Sequence, residues 1–276
     1  MQLADTTSQS VDKSRHPDSV THRREITYVS TPVAVSMADK WYEIATTEHF
    51  WIRRRFEVLQ RVAGTLIMEA KELAEVGCGS GLLQRQIEDA YGRGVVGCDL
   101  NEYALKRNVS VRSSVLCYDI FEKSKELEKR FDVIFLFDVL EHITEESPFL
   151  EAVRFHLTAG GRIVINVPAG QWAYSAYDVA AGHVRRYSIG RLRRAVEPLG
   201  LQVERWSYWG LPLIAPLLLR KAWLWGQHDK DKIIAEGFDS RSKLLDRCLR
   251  LLARCEAIPQ HLLGTSLLAV VQAGEK

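Results

Sequence analysis

The sequence lacks several features that would assign a protein to a class at once. Its 37 basic and 35 acidic residues leave a formal net charge of +2, so the balance does not favour nucleic acid as a partner. Residues 1–18 contain no apolar stretch of the kind found in signal peptides, and we expect a cytoplasmic protein. The apolar run at 209–219 is too short to span a membrane and contains two prolines.

Cysteines are few and do not form a recognisable metal or redox motif. No two of the five are separated by only two residues, the spacing of zinc knuckles and redox dithiols. Cys78, Cys98 and Cys117 lie within apolar, strand-like segments. We therefore expect small buried side chains in a reducing compartment and predict no metal site.

The middle of the chain alternates between two kinds of hydrophobic pattern. Short apolar runs predict strands, and the segments between them have helical spacing. The predicted strands lie at 73–77, 94–100, 114–120, 131–139, 162–168, 201–209 and 261–273. Strands that alternate with helices predict an α/β fold with a parallel sheet wound on both faces.

The remaining segments are predicted to have separate roles. Residues 1 to about 36 are polar and lack a sustained period, which predicts a flexible tail. Apolar side chains at three- and four-residue spacing predict a helical lid over 37–69, ahead of a main domain over 70–276. A helical insertion is predicted at about 211–260, before the last strand.

A glycine-rich loop, Glu75-Val-Gly77-Cys78-Gly79-Ser80-Gly81, follows the first of these strands. Ligands of wound sheets bind beyond the carboxyl ends of the strands, and glycines permit a close approach of the backbone. A dinucleotide site needs a sixth-position glycine, where this chain has Leu82. The Glu75 carboxylate would repel a pyrophosphate, but it suits an ammonium group such as that of S-adenosylmethionine.

Acidic residues close the next three predicted strands. Asp99 closes the second, where a carboxylate accepts hydrogen bonds from ribose hydroxyls. Asp119 closes the third, where it would accept the adenine amino group, and Asp138 closes the fourth. Each acid alone is also explained as a helix N-cap or a solvated loop residue. Three acidic residues, each at the end of a predicted strand, favour a ligand site.

The segments EVGCGSG, GCDL, CYDI and FDVLEH resemble the cofactor motifs of class I S-adenosylmethionine-dependent methyltransferases, near the small-molecule, ubiquinone-biosynthesis type. The resemblance covers about residues 70–170. It implies a Rossmann-like, doubly wound and mostly parallel sheet of seven strands, the last antiparallel. It also implies that S-adenosylmethionine, with S-adenosylhomocysteine as product, contacts Glu75, Gly77, Cys78, Gly79, Gly81, Asp99, Leu100, Asp119, Ile120, Phe137, Asp138 and His142.

Two further motifs resemble bacterial methyltransferases that are often encoded beside glycosyltransferases and other biosynthetic genes. One runs from Tyr177-Asp178 to Gly182-His183-Val184-Arg185-Arg186-Tyr187-Ser188, and the other is Glu48-His49-Phe50-Trp51-Ile52-Arg53-Arg54-Arg55. We predict His183 as the first candidate base, because an imidazole pKa of about 6.5 suits proton acceptance at neutral pH, and His142 as the second. The alternative is that His183 and Arg185 hold the loop on the sheet. The predicted substrate contacts are His49, Trp51, Tyr177, Arg185 and Tyr187.

Two patterns leave alternatives open. The basic run at 53–55 is typical of a solvated helix face, although one arginine pointing into the site would imply an acidic acceptor. The apolar stretch at 208–226 is either a lid over an apolar substrate or a surface that docks on a membrane. It is equally explained as ordinary packing or a homodimer interface.

Three functions are compatible with the sequence. The first is methyl transfer to N or O of a small-molecule intermediate, such as a sugar or natural product. The second is methyl transfer to a lipid-linked acceptor at a membrane surface, and the third is cofactor binding without catalysis. DNA or glutamine methylation is not expected, because Phe137-Asp138-Val139-Leu140 replaces the Asn-Pro-Pro-Tyr type motif of those enzymes.

Overall fold

The computed structural model describes residues 25–35, 39–238 and 242–274. Most of the predicted tail therefore lies outside the described residues. Its described part contains a short strand, where the sequence predicted no regular structure. Within the described residues the strands are β1 (Ile26–Tyr28), β2 (Leu73–Val76), β3 (Val96–Asp99), β4 (Val115–Cys117), β5 (Phe131–Phe137), β6 (Leu157–Pro168), β7 (Leu201–Trp209) and β8 (Ser266–Ala273).

These strands form a single mostly parallel sheet in the order β1-β4-β3-β2-β5-β6-β8-β7. The last strand, β8, lies between β6 and β7 and is antiparallel to both, which confirms the predicted topology. The described sheet has eight strands rather than the predicted seven, because β1 extends the sheet at one edge by pairing in parallel with β4. Ile26 is half-buried, and Thr27 and Tyr28 are exposed, so β1 has no apolar pattern that would have revealed it.

Helices cover both faces of the sheet. They are α1 (Asp39–Ile44), α2 (Phe50–Glu69), α3 (Leu82–Tyr91), α4 (Glu102–Leu105), α5 (Glu146–Phe155), α6 (Ala176–Ala181), α7 (Ile189–Val196), α8 (Ile214–Trp223), α9 (Lys230–Phe238) and α10 (Lys243–Ala253). Alternate residues of β5 serve the two faces: Ile134 packs in the core with α5 and α7, and Phe135 packs in the core with α2 and α3. Burial on both sides explains why this strand is nearly continuous in apolar residues.

Several helices and strands begin or end at residues other than those predicted. The predicted helical lid is divided into α1 and α2, with a turn between them. The strand predicted at 162–168 begins earlier, at Leu157, so the helix before it ends at Phe155. The insertion consists of α8, α9 and α10 rather than one long helix. No helix in the described part of the chain is long and apolar enough to cross a membrane.

Candidate functional site

The glycine loop between β2 and α3 has a backbone that only glycine adopts without strain. Gly77, Gly79 and Gly81 have φ angles of +75°, +52° and +73°. A Cβ on Gly79 would lie 2.9 Å from Cε1 of Tyr42 in α1, and one on Gly77 would lie 2.5 Å from Cγ2 of Val139. The loop therefore presents bare backbone at the carboxyl ends of the strands.

Glu75 is a buried carboxyl group directly before this loop. Its side chain is 3% exposed, and Oε2 has no hydrogen-bond partner among the described residues. Burial raises the pKa of Glu75 to about 8, although the nearby positive charge of Arg55 opposes the shift. A cationic ligand group beside Glu75 would satisfy the orphan oxygen and stabilise the ionised form.

Asp99, at the end of β3, holds the glycine loop in place. Its Oδ2 accepts a hydrogen bond of 2.8 Å from the Gly79 amide, and Oδ1 accepts one of 2.8 Å from the Asn101 amide. A carboxylate can accept about four hydrogen bonds, so both oxygens retain capacity for ligand hydroxyls. Burial raises the pKa of Asp99.

Asp138 follows β5 and pairs with an arginine from α2. It has a positive φ of 59°, and its carboxylate accepts hydrogen bonds from Arg55 and, at 2.8 Å, from Nδ2 of Asn166. The Arg55 guanidinium also lies over the Trp51 ring, 5.2 Å from its centroid. Burial raises the pKa of Asp138, and the charge of Arg55 works against that shift. The pair fixes α2 beside the strand ends.

His183 is oriented by a buried ion pair. Its Nδ1 lies 2.9 Å from Oδ1 of Asp178, and Arg186 donates to both oxygens of Asp178 at 2.8 and 3.0 Å. Burial opposes ionisation of Asp178, but the hydrogen bonds from His183 and Arg186 hold its pKa at about 2. An ionised Asp178 accepts the Nδ1 proton of His183, so Nε2 is the atom that can act as acceptor or ligand in the neutral ring.

Two further titratable groups lie against His183. The ring of His142 meets that of His183 edge to face, with the centroids 4.9 Å apart. Burial, and then the charge of His183, lower the pKa of His142 to about 3. Glu141 is 1% exposed, neither carboxyl oxygen has a hydrogen-bond partner among the described residues, and burial raises its pKa well above the usual value.

These side chains border a cavity of about 390 Å³ that is lined mainly by apolar groups. Four predicted substrate or catalytic residues line it: His49, Trp51, Tyr177 and His183. Asp138 and Glu141 also reach the cavity, and another part of its wall comes from the insertion. That wall includes Leu213, Pro216, Leu217, Leu219, Arg220, Leu245 and Leu249. Residues of the insertion therefore form part of the cavity lining, and the role of the apolar stretch as a lid stays a prediction.

The chain is similar in sequence to known methyltransferases. Residues 74–163 match a family described as a methyltransferase domain. The chain is 28% identical over 163 residues to a probable S-adenosylmethionine-dependent methyltransferase of Mycolicibacterium smegmatis. It is 31% identical over 123 residues to a ubiquinone biosynthesis O-methyltransferase of Idiomarina loihiensis. These matches cover 57% and 41% of this chain, and only 61% and 49% of the relatives' own lengths.

Solved structures agree on the architecture. An S-adenosylmethionine-dependent methyltransferase of Archaeoglobus fulgidus superposes with a TM-score of 0.50 at 18% identity, covering 79% of this chain and 94% of that one. The 4+2 cyclase SpnF superposes with a TM-score of 0.57 at 12% identity, covering 90% and 100%. The chain has the class I methyltransferase fold. At these identities the likeness shows the fold alone.

Within the methyltransferase fold, the described N-terminal segment covers the ends of β3 and β4. The Val33 amide donates to the Leu100 carbonyl at 3.1 Å, and the Asp119 amide donates to Oγ of Ser30 at 2.8 Å. The Asp119 carboxylate caps a short turn by accepting from the Phe121 amide at 2.9 Å. Asp119 therefore caps this turn, and its contact with an adenine amino group stays a prediction.

Other residues predicted to contact the methyltransferase cofactor are buried. Ile120 packs in the core that includes α5 and α7, and Phe137 packs in the core that includes α2 and α3. Cys78 is buried within the glycine loop and packs against Cys117. These side chains support the loops that carry Gly79 and Asp138.

Two predicted substrate contacts lie away from the cavity of the methyltransferase fold. Arg185 donates to the carbonyls of Ile143 and Thr144, each at 2.9 Å. The Tyr187 side chain is fully buried, and its hydroxyl donates to the Leu140 carbonyl at 3.0 Å. Arg185 also pairs with the Glu146 carboxylate at 3.1 Å, and the Tyr187 hydroxyl also contacts that carboxylate at 2.5 Å. Both side chains therefore hold the loop on the fold, and neither lines the cavity.

Arg55, Asp178 and Glu141 are site residues that the sequence reasoning missed. The basic run of α2 is largely turned inward: Arg54 and Arg55 are buried, and Arg53 is partly exposed. One signal was present in the sequence. Arg55 lies four residues after Trp51, which places it on the same helix face as a large aromatic side chain. The expectation of a solvated helix face was therefore wrong for two of the three arginines.

Proposed function

We propose that the chain is an S-adenosylmethionine-dependent methyltransferase acting on N or O of a small-molecule acceptor. The observation that carries the proposal is the buried Glu75 carboxyl, with an orphan oxygen, next to three left-handed glycines. Glu75 would bind the ammonium group of the cofactor, the glycine loop would approach it through the backbone, and Asp99 would accept from its ribose. The bound cofactor supplies a methyl group activated by a sulfonium.

The cavity bordered by His183 is the proposed acceptor site. One turn links it to the donor loop, because Val139 contacts Gly77 while Asp138 and Glu141 reach the cavity. The apolar wall from the insertion would exclude water and align the acceptor, and alignment alone can contribute about 7–11 kcal/mol. His183 would accept the proton of an acceptor hydroxyl or ammonium at Nε2.

Arg220 supports an acceptor that carries an acidic group. This arginine lines the cavity, lies over the Tyr177 ring at 4.2 Å, and donates to the Gly237 carbonyl at 2.9 Å. Its Nε has no hydrogen-bond partner among the described residues. A carboxylate or phosphate of the acceptor would complete its contacts.

Turnover tests the proposal against cofactor binding without catalysis. Purified protein is incubated with S-adenosylmethionine and a panel of hydroxylated, amino and acidic metabolites, and S-adenosylhomocysteine is measured. We expect production with at least one acceptor class. The His183→Asn variant should lose about 10²–10⁴-fold in turnover while still binding S-adenosylhomocysteine, if His183 takes the proton. Cofactor binding with no turnover across the panel would favour a non-catalytic role.

A second candidate is a lipid-linked acceptor, favoured by the exposed apolar face near α8. Leu219, Trp223 and Trp225 are 72%, 66% and 85% exposed, and Leu219 also lines the cavity. Exposed tryptophans a few residues from a side chain that lines an apolar cavity are suited to the interface of a bilayer.

Vesicle flotation tests this candidate. We expect wild-type protein to float with vesicles containing phosphatidylglycerol, and the Trp223→Ser/Trp225→Ser variant to remain in the soluble fraction. Met68→Ser, at a 60% exposed site on α2, is the matched control and should behave as wild type. Wild-type protein that stays wholly soluble would remove the candidate.

A further inference from the structure

The turn after β5 contains a buried carboxyl group that the proposed donor and acceptor contacts do not explain. Glu141 is 1% exposed, and both of its oxygens lack hydrogen-bond partners among the described residues. An unsatisfied buried polar group costs free energy comparable to the loss of a hydrogen bond, and an ionised one costs more. Such a group indicates a ligand that supplies the missing contacts.

Two histidines face this carboxyl group. One donor atom from each of Glu141, His142 and His183 can be chosen so that all three lie within 4.8 Å of one another. In a tetrahedral site with bonds of about 2.0–2.2 Å the donor atoms are about 3.3–3.6 Å apart, so side-chain shifts of about 1 Å would bring the three atoms onto one ion. Glu141 and His142 come from the Leu140–His142 turn, and His183 comes from the loop after α6.

Both imidazoles already have the outer contacts that metal-binding histidines use. Asp178 accepts from Nδ1 of His183 at 2.9 Å and is itself held by Arg186, while the ring of His142 hydrogen-bonds to the backbone of Gly182. A carboxylate or a carbonyl on one ring nitrogen fixes the tautomer and leaves the other nitrogen as a lone-pair donor. The contacts with Asp178 and Gly182 therefore orient the two imidazole rings whether or not a substrate is bound.

We propose that Glu141, His142 and His183 form a binding site for a divalent transition-metal ion of the Zn²⁺ type. Two imidazole nitrogens and one carboxylate oxygen are the donor set of open zinc sites, in which further positions take water or substrate. Glu141 and His183 line the cavity, so those positions face the proposed acceptor site. The sequence predicted no metal, because the three residues match no regular ligand spacing.

The use of the ion rests on the proposed function, although its binding does not. The ion would bind an acceptor hydroxyl and lower its pKa, so that the proton passes to solvent. The acceptor oxygen would then form a bond to the methyl carbon as the carbon–sulfur bond breaks, leaving the thioether of S-adenosylhomocysteine. With the ion bound, His183 acts as a ligand and not as the base.

Competing metal ligands have to be removed before the test. Cys248 and Cys255 are exposed thiols, and thiolates bind Zn²⁺ tightly. The full-length chain with Cys248→Ser and Cys255→Ser is therefore the background for every measurement. His261→Ala is the matched control, because this histidine lies on the Trp206 ring, outside the cluster.

The experiment titrates chelator-treated protein with Zn²⁺ alone against a chromophoric competitor. We expect one tight site per chain, retained in His261→Ala, and an affinity reduced at least about 100-fold in Glu141→Gln. Co²⁺ should give visible absorption without a thiolate charge-transfer band. Glu141→Gln should fold, because the amide keeps the shape of the side chain, and far-ultraviolet circular dichroism checks this.

Three outcomes would overturn the site: no binding above the competitor, unchanged affinity in folded Glu141→Gln, or no Co²⁺ absorption by the unsubstituted cluster. If Glu141→Gln does not fold, the Co²⁺ absorption of the protein with the unsubstituted cluster decides whether the metal site exists. Calorimetry with S-adenosylhomocysteine, on metal-free protein, separates this proposal from the proposed function. Zn²⁺ binding without cofactor binding would keep the site and remove its use in methyl transfer.

Discussion

Glu75 and Asp178 are both buried acids, but their surroundings give them opposite charge states. Burial without a sufficient partner holds the Glu75 pKa at about 8, whereas two donors hold that of Asp178 at about 2. Asp178 therefore orients its neighbours at any physiological pH. Glu75 is poised to lose its proton only when a cation binds, which makes ligand binding depend on pH.

Glu75→Gln tests that dependence. In the wild type, the carboxyl must lose its proton to accept an ammonium, so affinity for S-adenosylhomocysteine should rise between pH 6 and 8, by up to about tenfold per unit. The glutamine variant should bind about 10–100-fold more weakly at pH 8, because a charged hydrogen bond is lost. It should also show a much flatter pH profile. Calorimetry at four pH values measures both effects, and parallel profiles in the two proteins would contradict the assignment.

Asp178→Asn tests the ion pair behind His183. Removing one charge leaves the Arg186 guanidinium buried and unpaired, so the free energy of unfolding should fall by about 3–5 kcal/mol. Asp89→Asn is the control: its partner Arg85 is an exposed residue of the same helix, and the change should stay within about 0.5 kcal/mol. Urea unfolding measures both values. Equal effects would show that Asp178 has no special structural role.

At the scale of elements, α2 is paired with both the insertion and the strand ends. Arg54 pairs with Glu256 at 3.2 Å and Arg55 pairs with Asp138, so successive arginines reach two distant parts of the chain. Apolar contacts of Val58 and Leu59 with the sheet continue the attachment along the helix. The position of Trp51 and His49 at the cavity follows from this anchoring.

Arg55→Met tests the attachment with a side chain of similar length. Asp138 would keep Asn166 but lose its only described cationic partner, so we expect a loss of about 3–5 kcal/mol in unfolding free energy. Arg53→Met removes a pair between exposed residues and should cost about 0.5 kcal/mol or less. Thermal and urea unfolding of the two variants give the comparison. Similar losses would mean that α2 is held by apolar packing alone.

The elements that could be predicted from sequence are those whose pattern reflects local physics. Burial on both faces gave β5 its apolar run, and the backbone turn gave the loop its glycines at 77, 79 and 81. The strand β1 could not be predicted, because its stability comes from backbone pairing with β4. Arg55 points inward because it pairs with Asp138, which is 83 residues further along the chain, and no local pattern encodes that contact. Glu141 is distinguished by the hydrogen-bond partners that its carboxyl group lacks among the described residues, which the local sequence does not encode either.

At the scale of the whole molecule, the turn after β5 joins two sites. Its Val139 contacts the glycine loop, and its Asp138 and Glu141 reach the apolar cavity. The parallel sheet places the ends of β2, β3 and β5 at one edge, and residues of the insertion form part of the cavity lining. One short turn is therefore in contact with both the proposed donor and acceptor positions.

Calorimetric titration with S-adenosylhomocysteine tests the central claim most directly. We predict binding of one molecule per wild-type chain, and a rise in melting temperature of a few degrees at 100-fold excess over the dissociation constant. The Gly79→Ala variant, strained at φ +52° and crowded by Tyr42, should fold but bind much more weakly. Absence of heat and of a thermal shift in the wild type, or equal binding by a folded Gly79→Ala, would contradict the account.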